Sequence, residues 1–160
     1  MGKVVRSNEE IERIYREYSN TIYRICFAYM KSVPEAEDMV SDTFLQLIKK
    51  GPVFENAENE KAWLIRVAIN LCKNSLKHWY KKCVHIDLIK DTHENEHHVD
   101  ETMEVIKTIP SKYKIVVYLY YYEGYNSKEI SKILKKPSST IRNHLTEARE
   151  ILRERLGDFE

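Results

Sequence analysis

Glycine and proline are scarce, at four each in 160 residues. With so few turn markers and hardly any alternation of polar and apolar residues, a sheet-rich fold is excluded and an all-α fold is predicted. No apolar run approaches the roughly 18 residues needed to span a bilayer. The N-terminus, MGKVVRSNEE, has no apolar stretch of the signal-peptide kind, so a cytoplasmic protein without membrane insertion is expected. There is also no phosphate-binding glycine loop, no HExxH and no nucleophile elbow, so no catalytic residue, metal or cofactor is assigned. Cys26, Cys72 and Cys83 are odd in number and lack metal-ligand spacing. The first two fall within apolar helical patterns, which suits buried thiols in a reducing compartment.

What is present is a hydrophobic content of 42% with 32% charged residues, enough apolar matter for one or two small cores. The net charge of +1 conceals an uneven distribution. From Lys61 to Lys82 there are six basic residues (Lys61, Arg66, Lys73, Lys77, Lys81 and Lys82) and no acidic one. The next stretch sets Asp87, Asp91, Glu94, Glu96, Asp100, Glu101 and Glu104 against Lys90 alone, and from Lys128 to Arg155 basic residues again prevail. Phosphate contacts depend on such local charge, so two basic segments separated by an acidic one fit a nucleic-acid partner.

The last third carries two helical patterns around a tight polar turn. Asn126 caps the first and Glu129 reaches back, with Ile130, Ile133 and Leu134 as its apolar stripe. Lys135-Lys136-Pro137 breaks the pattern, and Ser138 or Ser139 caps the second helix. There Ile141, Leu145, Ala148 and Leu152 face inward while Thr140, Arg142, Asn143, Thr146 and Glu147 face out. This reads as a helix-turn-helix, with an ordinary helical hairpin as the alternative.

Earlier, Ser7 and Glu10 begin a helix lined by Ile11, Ile14, Tyr15, Tyr18, Ile22, Ile25 and Tyr29. Pro34 starts a second, lined by Ala36, Met39, Val40, Phe44, Leu47 and Ile48 and stopped by Gly51-Pro52. A polar loop over Phe54 to Glu60 leads to a third helix from about Lys61 to Tyr80, with Leu64, Val67, Ala68, Leu71, Cys72 and Leu76 inward. Residues 83–100 lose periodicity and read as a flexible acidic linker between a domain at 1–82 and another at 101–160. In the second domain a short helix near Thr102 to Thr108 precedes one through KYKIVVYLYYYEG that ends at Gly124. Its tyrosines suit core packing better than base stacking.

Three segments, VPEAEDMVSDTFLQLIKK (Val33 to Lys50), KAWLIRVAINLCKNSLKHWYKK (Lys61 to Lys82) and the stretch from Ile109 to Leu152, together resemble an extracytoplasmic-function (ECF) sigma factor. Their order and spacing match that family over nearly the whole chain. The resemblance implies a sigma region 2-like bundle, a sigma region 4-like helix-turn-helix domain and a role in promoter-specific transcription initiation. It implies core RNA polymerase (largest-subunit clamp and flap), promoter DNA and an anti-sigma factor as partners.

Residue by residue, the resemblance assigns polymerase binding to Asp38, Ser41, Asp42 and Leu45, where two carboxylates beside an apolar side chain suit a basic surface with a hydrophobic centre. It places Phe54 and Asn70 in a pocket for a melted base, with Asn59 as a second reader and Lys73, Lys77, Lys81 and Lys82 on phosphates. Trp63 is expected to pack between helices. Glu55, Glu58 and Glu60 depart from the pattern, because they would repel phosphate. Upstream duplex contacts fall on Thr140, Arg142, Asn143, Thr146 and Glu147, where Glu147 either accepts from cytosine or caps an ion pair with a neighbouring Arg. Lys128, Lys132, Lys135, Lys136 and Arg149 are assigned to phosphates.

The rival reading is a stand-alone helix-turn-helix regulator that never joins polymerase. An enzyme is the weakest class. Cys83, His85, His93, His97 and His98 are spaced too irregularly for a metal site and read as solvent-exposed residues.

Overall fold

The computed structural model describes residues 4–82 and 99–156, except for the side chains of 78–82. Residues 83–98 of the linker expected over 83–100, with its cysteine and histidines, and the side chains of Lys81 and Lys82 lie outside the described residues. Every described element is helical, and the helices divide into two compact units, Met1–His98 and Val99–Glu160.

The first unit packs α1 (Asn8–Tyr29), α2 (Val33–Lys50) and α3 (Ala57–Lys82) mutually into a three-helix bundle. The Glu10 backbone N–H donates to Ser7 Oγ at 3.1 Å and starts α1. Residues 25–30 are all buried, so the second half of α1 runs through the centre of the bundle. Ser32 caps α2, with Pro34 in its first turn. Ala36, Val40, Thr43, Phe44 and Leu47 turn inward, and Thr43 satisfies its buried hydroxyl by donating to the Met39 carbonyl at 2.7 Å. Each fully buried Ile or Leu contributes roughly 1.5–3 kcal/mol, so Ile14, Ile22, Leu47, Leu64 and Ile65 dominate the core.

Four expectations for this unit are corrected. Ile48, placed in the core, is 43% exposed; it follows Leu45 by three residues and shares that outward face, while Leu47 fills the core. Tyr15 is 44% exposed and rests edge-on against Phe44, with ring centroids 4.9 Å apart. Helix α3 begins at Ala57, four residues before Lys61, because the Asn56 side chain accepts from the Asn59 backbone N–H at 2.8 Å and Glu58 and Glu60 suit the positive end of a helix. Its buried stripe passes through Leu64, Ile65, Ala68, Ile69 and Cys72, leaving Val67, Leu71 and Leu76 half-buried.

In the second unit, Asp100 accepts from the Met103 backbone N–H and caps α4 (Glu101–Thr108). Helix α5 (Ser111–Val117) is central: residues 113–119 are all buried. It widens into a π-helical turn, Tyr118–Tyr122, where the Glu123 N–H reaches back five residues to the Tyr118 carbonyl. Gly124 then takes φ +82°, which favours glycine. Helix α6 (Ser127–Leu134) opens with the expected capping box, both of its hydrogen bonds being made between Asn126 and Glu129. Of its apolar stripe Ile130 is fully buried, whereas Ile133 and Leu134 are half-buried. Lys135 takes a left-handed conformation (φ 55°), and the Lys136 N–H donates to the Ser131 carbonyl. Helix α7 (Ser138–Leu156) then buries Ile141, Leu145, Ala148 and Leu152, as its spacing predicts.

Candidate nucleic-acid interface

Three surfaces carry the residues singled out by sequence. On α2, Asp38, Ser41 and Leu45 are exposed, and Asp42 is half-buried. At spacings of three and four residues they form one stripe opposite the buried Val40, Phe44 and Leu47. Ile48 extends that stripe, so two exposed apolar side chains stand beside two carboxylates.

On α3, Asn59, Trp63, Arg66, Asn70, Lys73 and Lys77 follow one another at intervals of three or four residues. They therefore share one helix face, away from the buried Leu64, Ile65, Ala68 and Cys72. The early start of α3 brings Asn59 onto this face; sequence reasoning placed it in a loop. Arg66, counted among the basic residues of this segment but given no contact, joins the face, as its spacing to Asn70 and Lys73 requires. Burial lowers the pKa of its half-buried guanidinium, which stays protonated at any working pH. Asn70, Lys73 and Lys77 are exposed.

The loop entering α3 covers residues 51–56. Half-buried Phe54 meets the edge of Trp63 at 5.8 Å between centroids and lies under the Arg6 guanidinium at 5.2 Å. Trp63 is itself half-buried and packs on this loop residue. The acidic character expected here is reduced by one residue. Glu60 points inward, 6% exposed, and is bound by Arg13 with Nη2 3.2 Å from Oε2. Nearby, burial pushes the Tyr18 phenol up to about 12, with the Glu17 and Glu60 carboxylates adding to the shift.

On α7, Arg142, Asn143 and Thr146 are exposed and Thr140 is half-buried. The Thr146 hydroxyl donates to the Arg142 carbonyl at 3.0 Å. Glu147 accepts from the Tyr113 hydroxyl and lies 3.8 Å from Lys112 Nζ. Its ion-pair partner is thus this lysine on α5 and not an arginine. The Tyr113 hydrogen bond, then Lys112, hold the Glu147 carboxyl below its ordinary value. Arg149, expected on phosphate, donates from Nε to the Tyr121 hydroxyl at 2.9 Å and covers the Tyr120 ring at 5.6 Å. Lys128, Lys132, Lys135 and Lys136 are exposed around the turn. Of the tyrosines expected in the core, Tyr118 is buried and stacked on Tyr122 at 5.2 Å, whereas Tyr120, Tyr121 and Tyr122 are half-buried.

Cys26 and Cys72 are both buried, and their thiols face each other from α1 and α3; hydrogen bonding to Cys72 and burial push Cys26 well up. Among the described residues no group of three or more His, Cys, Asp or Glu side chains could hold a metal ion, and no helix is long and apolar enough to cross a membrane.

Residues 14–79 match the family model described as Sigma-70 region 2, and residues 100–152 match that described as Sigma-70, region 4. The chain is 23% identical over 141 residues to the RNA polymerase sigma factor SigV of Bacillus subtilis (strain 168), spanning 86% of this chain and 85% of that protein. It is 28% identical over 152 residues to the ECF RNA polymerase sigma factor SigM of the same organism, spanning 89% and 93%. In fold it is similar to the sigma factor RpoE solved in complex with the anti-sigma factor NepR from Bartonella quintana. That match has a TM-score of 0.72 at 18% identity and covers 94% of this chain and 99% of that one.

Proposed function

The chain belongs to the sigma-70 family as an RNA polymerase sigma factor of the ECF type, and from that premise we propose how its surfaces divide the work of initiation. The α2 stripe of Asp38, Ser41, Asp42, Leu45 and Ile48 docks on the clamp of the polymerase largest subunit. Its carboxylates meet basic side chains while Leu45 and Ile48 enter an apolar centre.

Promoter opening falls to α3. The observation that carries this reading is the single α3 face bearing Asn59, Trp63, Arg66, Asn70, Lys73 and Lys77. A melted strand needs stacking surface, a group that reads an unstacked base edge, and cations along its backbone, all on one side. Phe54 supplies the aromatic surface, and Asn70 offers both a donor and an acceptor. Lys73 and Lys77 hold phosphates, and Asn59, on the same face, reads a second position.

The helix-turn-helix reads the upstream duplex through Thr140, Arg142, Asn143 and Thr146. Arg142 suits a guanine edge and Asn143 an adenine edge. Lys128 and its neighbours hold phosphates, with Arg149 and Glu147 engaged by tyrosines of the same unit. RNA synthesis itself belongs to core polymerase, so the chain works in the cytoplasm without chemistry of its own. The domains are residues 1–82 and 101–160, joined by a linker over 83–100, and an anti-sigma protein is proposed as the partner that restrains them.

Reconstitution with core polymerase, followed by run-off transcription on a genomic fragment library, tests this. The chain should bind core stoichiometrically and yield discrete promoters, and Asn70→Ala should abolish opening while sparing core binding. A chain that ignores polymerase yet occupies duplex DNA alone at nanomolar concentration would overturn the reading.

A further inference from the structure

Arg6 precedes α1 in sequence, yet its side chain is only 5% exposed. Nη1 donates to the Gly51 carbonyl at 3.1 Å and lies 3.5 Å from that of Leu47, and Nη2 donates to the Pro52 carbonyl. Nε lies 3.9 Å from Glu10 Oε1. These carbonyls end α2 and begin the loop to α3, where a helix leaves unpaired acceptors and partial negative charge. One planar fork thus fixes the direction in which the chain leaves α2. That guanidinium also stands over the Phe54 ring, with Cζ 5.2 Å from its centroid. Gly51 makes the approach possible, because a Cβ there would stand 2.8 Å from Nη1 and 2.4 Å from the Leu47 carbonyl oxygen.

A lysine could not replace this arrangement, since an ammonium lacks both the planar fork and the stacking face. The loop carrying Phe54 is therefore held at two points by a residue 46 positions upstream of Pro52.

We propose that Arg6 is a positioning residue for promoter opening: it ties the end of α2 to the Phe54 ring and so presents that ring to the melted base. This rests on the reading of Phe54 as the base-stacking residue. Arg6 touches no nucleotide itself. Its effect on base selection is transmitted through the ring it supports, and it leaves the α2 docking stripe alone.

The test uses full-length chain reconstituted with core polymerase, on duplex promoters varied through all four bases at each melted non-template position and on pre-melted bubbles. Open complex is read by 2-aminopurine fluorescence. Arg6→Ala should lower opening on duplex about tenfold or more, the scale of one lost base–aromatic stack. It should flatten the preference among bases to the level of Phe54→Ala and add nothing in a Phe54→Ala background. The bubble should restore complex formation without restoring the preference. Arg6→Lys, measured alongside in case truncation unfolds the bundle, should flatten the preference likewise. If Phe54→Ala flattens the preference while both Arg6 variants keep it, the positioning role is overturned. If Phe54→Ala itself leaves opening on duplex at the wild-type level, the stacking assignment fails, and the role of Arg6 with it.

Discussion

The Tyr113 hydroxyl on α5 donates to the Glu147 carboxylate on α7, 34 residues later in the chain. The bond ties α7 to α5, and Lys112 reinforces it from α5 at 3.8 Å. Glu147 is thereby engaged inside its own domain, and under the proposed reading base contacts are left to Arg142 and Asn143. Arg142→Ala should weaken the cognate upstream element by about 1–3 kcal/mol and relax discrimination at one position. Glu147→Gln should leave the order of preferred bases unchanged. Holoenzyme affinities across an upstream-element library check both; a uniform loss for Arg142→Ala would make it a phosphate contact.

The same cluster makes the second domain sensitive to acid. His144 packs edge-to-face on Tyr113 at 5.7 Å. Burial, with Lys112 and Lys136 nearby, holds its pKa below the ordinary 6.5 despite the opposing pull of Glu147. The folded state therefore binds fewer protons here than the unfolded chain. This contribution is complete above pH 6.5 and is lost as pH falls toward the lower folded value. Glu147, also depressed, adds a second loss below its ordinary 4.5. Thermal unfolding of the full chain at pH 7.5 and 5.5 should show a drop in Tm that His144→Gln makes smaller; an equal drop in both proteins would refute the assignment.

On α2, Asp38→Arg or Leu45→Arg should abolish binding to core polymerase with no loss of helicity by circular dichroism. Ile48→Arg should weaken it in the same direction, because Ile48 shares the exposed stripe. Pull-down with core polymerase decides, and retention of any of the three at wild-type level removes that residue from the interface.

The pair Arg13–Glu60 is asymmetric: the arginine side chain is 51% exposed and the glutamate 8%. Removing the exposed partner strands a buried carboxylate, whereas removing the buried one leaves a cation that water accommodates. Arg13→Met should cost about 1–3 kcal/mol. Glu60→Gln should cost less, about 1 kcal/mol or below. Chemical denaturation of the two variants ranks them, and the reverse order would contradict this account.

Much of this architecture was legible in the sequence because the signals were local. Ser7, Asn126 and Glu129 announce helix starts through atoms three residues apart, and the α7 stripe of Ile141, Leu145, Ala148 and Leu152 keeps helical spacing throughout. What stayed hidden was decided at long range. The Glu-rich run before Lys61 reads as loop until Asn56 is seen to cap it and Arg13 to draw Glu60 inward. Ile48 reads as core until Leu47 is seen to occupy that place. Arg6 and Phe54 meet through folding alone, so no sequence window contains both. The π-helical turn at Tyr118–Tyr122 left no mark beyond a run of tyrosines. At the candidate interface the residue types and their spacing from Trp63 to Lys77 were readable, and only the place of Asn59 on that face depended on where the helix begins.

The α3 face behaves as a ruler. Asn59 and Lys77 are 18 residues apart on one helix, so about 27 Å separates their places along its axis, fixed by hydrogen bonds that no loop motion alters. A single residue inserted after Asn70 would swing Lys73 and Lys77 by about 100° away from the base-reading side, whereas four would nearly restore the azimuth and lengthen the gauge by about 6 Å. If α3 holds the melted strand as proposed, the place where the bubble begins relative to the start of transcription is a dimension cut into the protein.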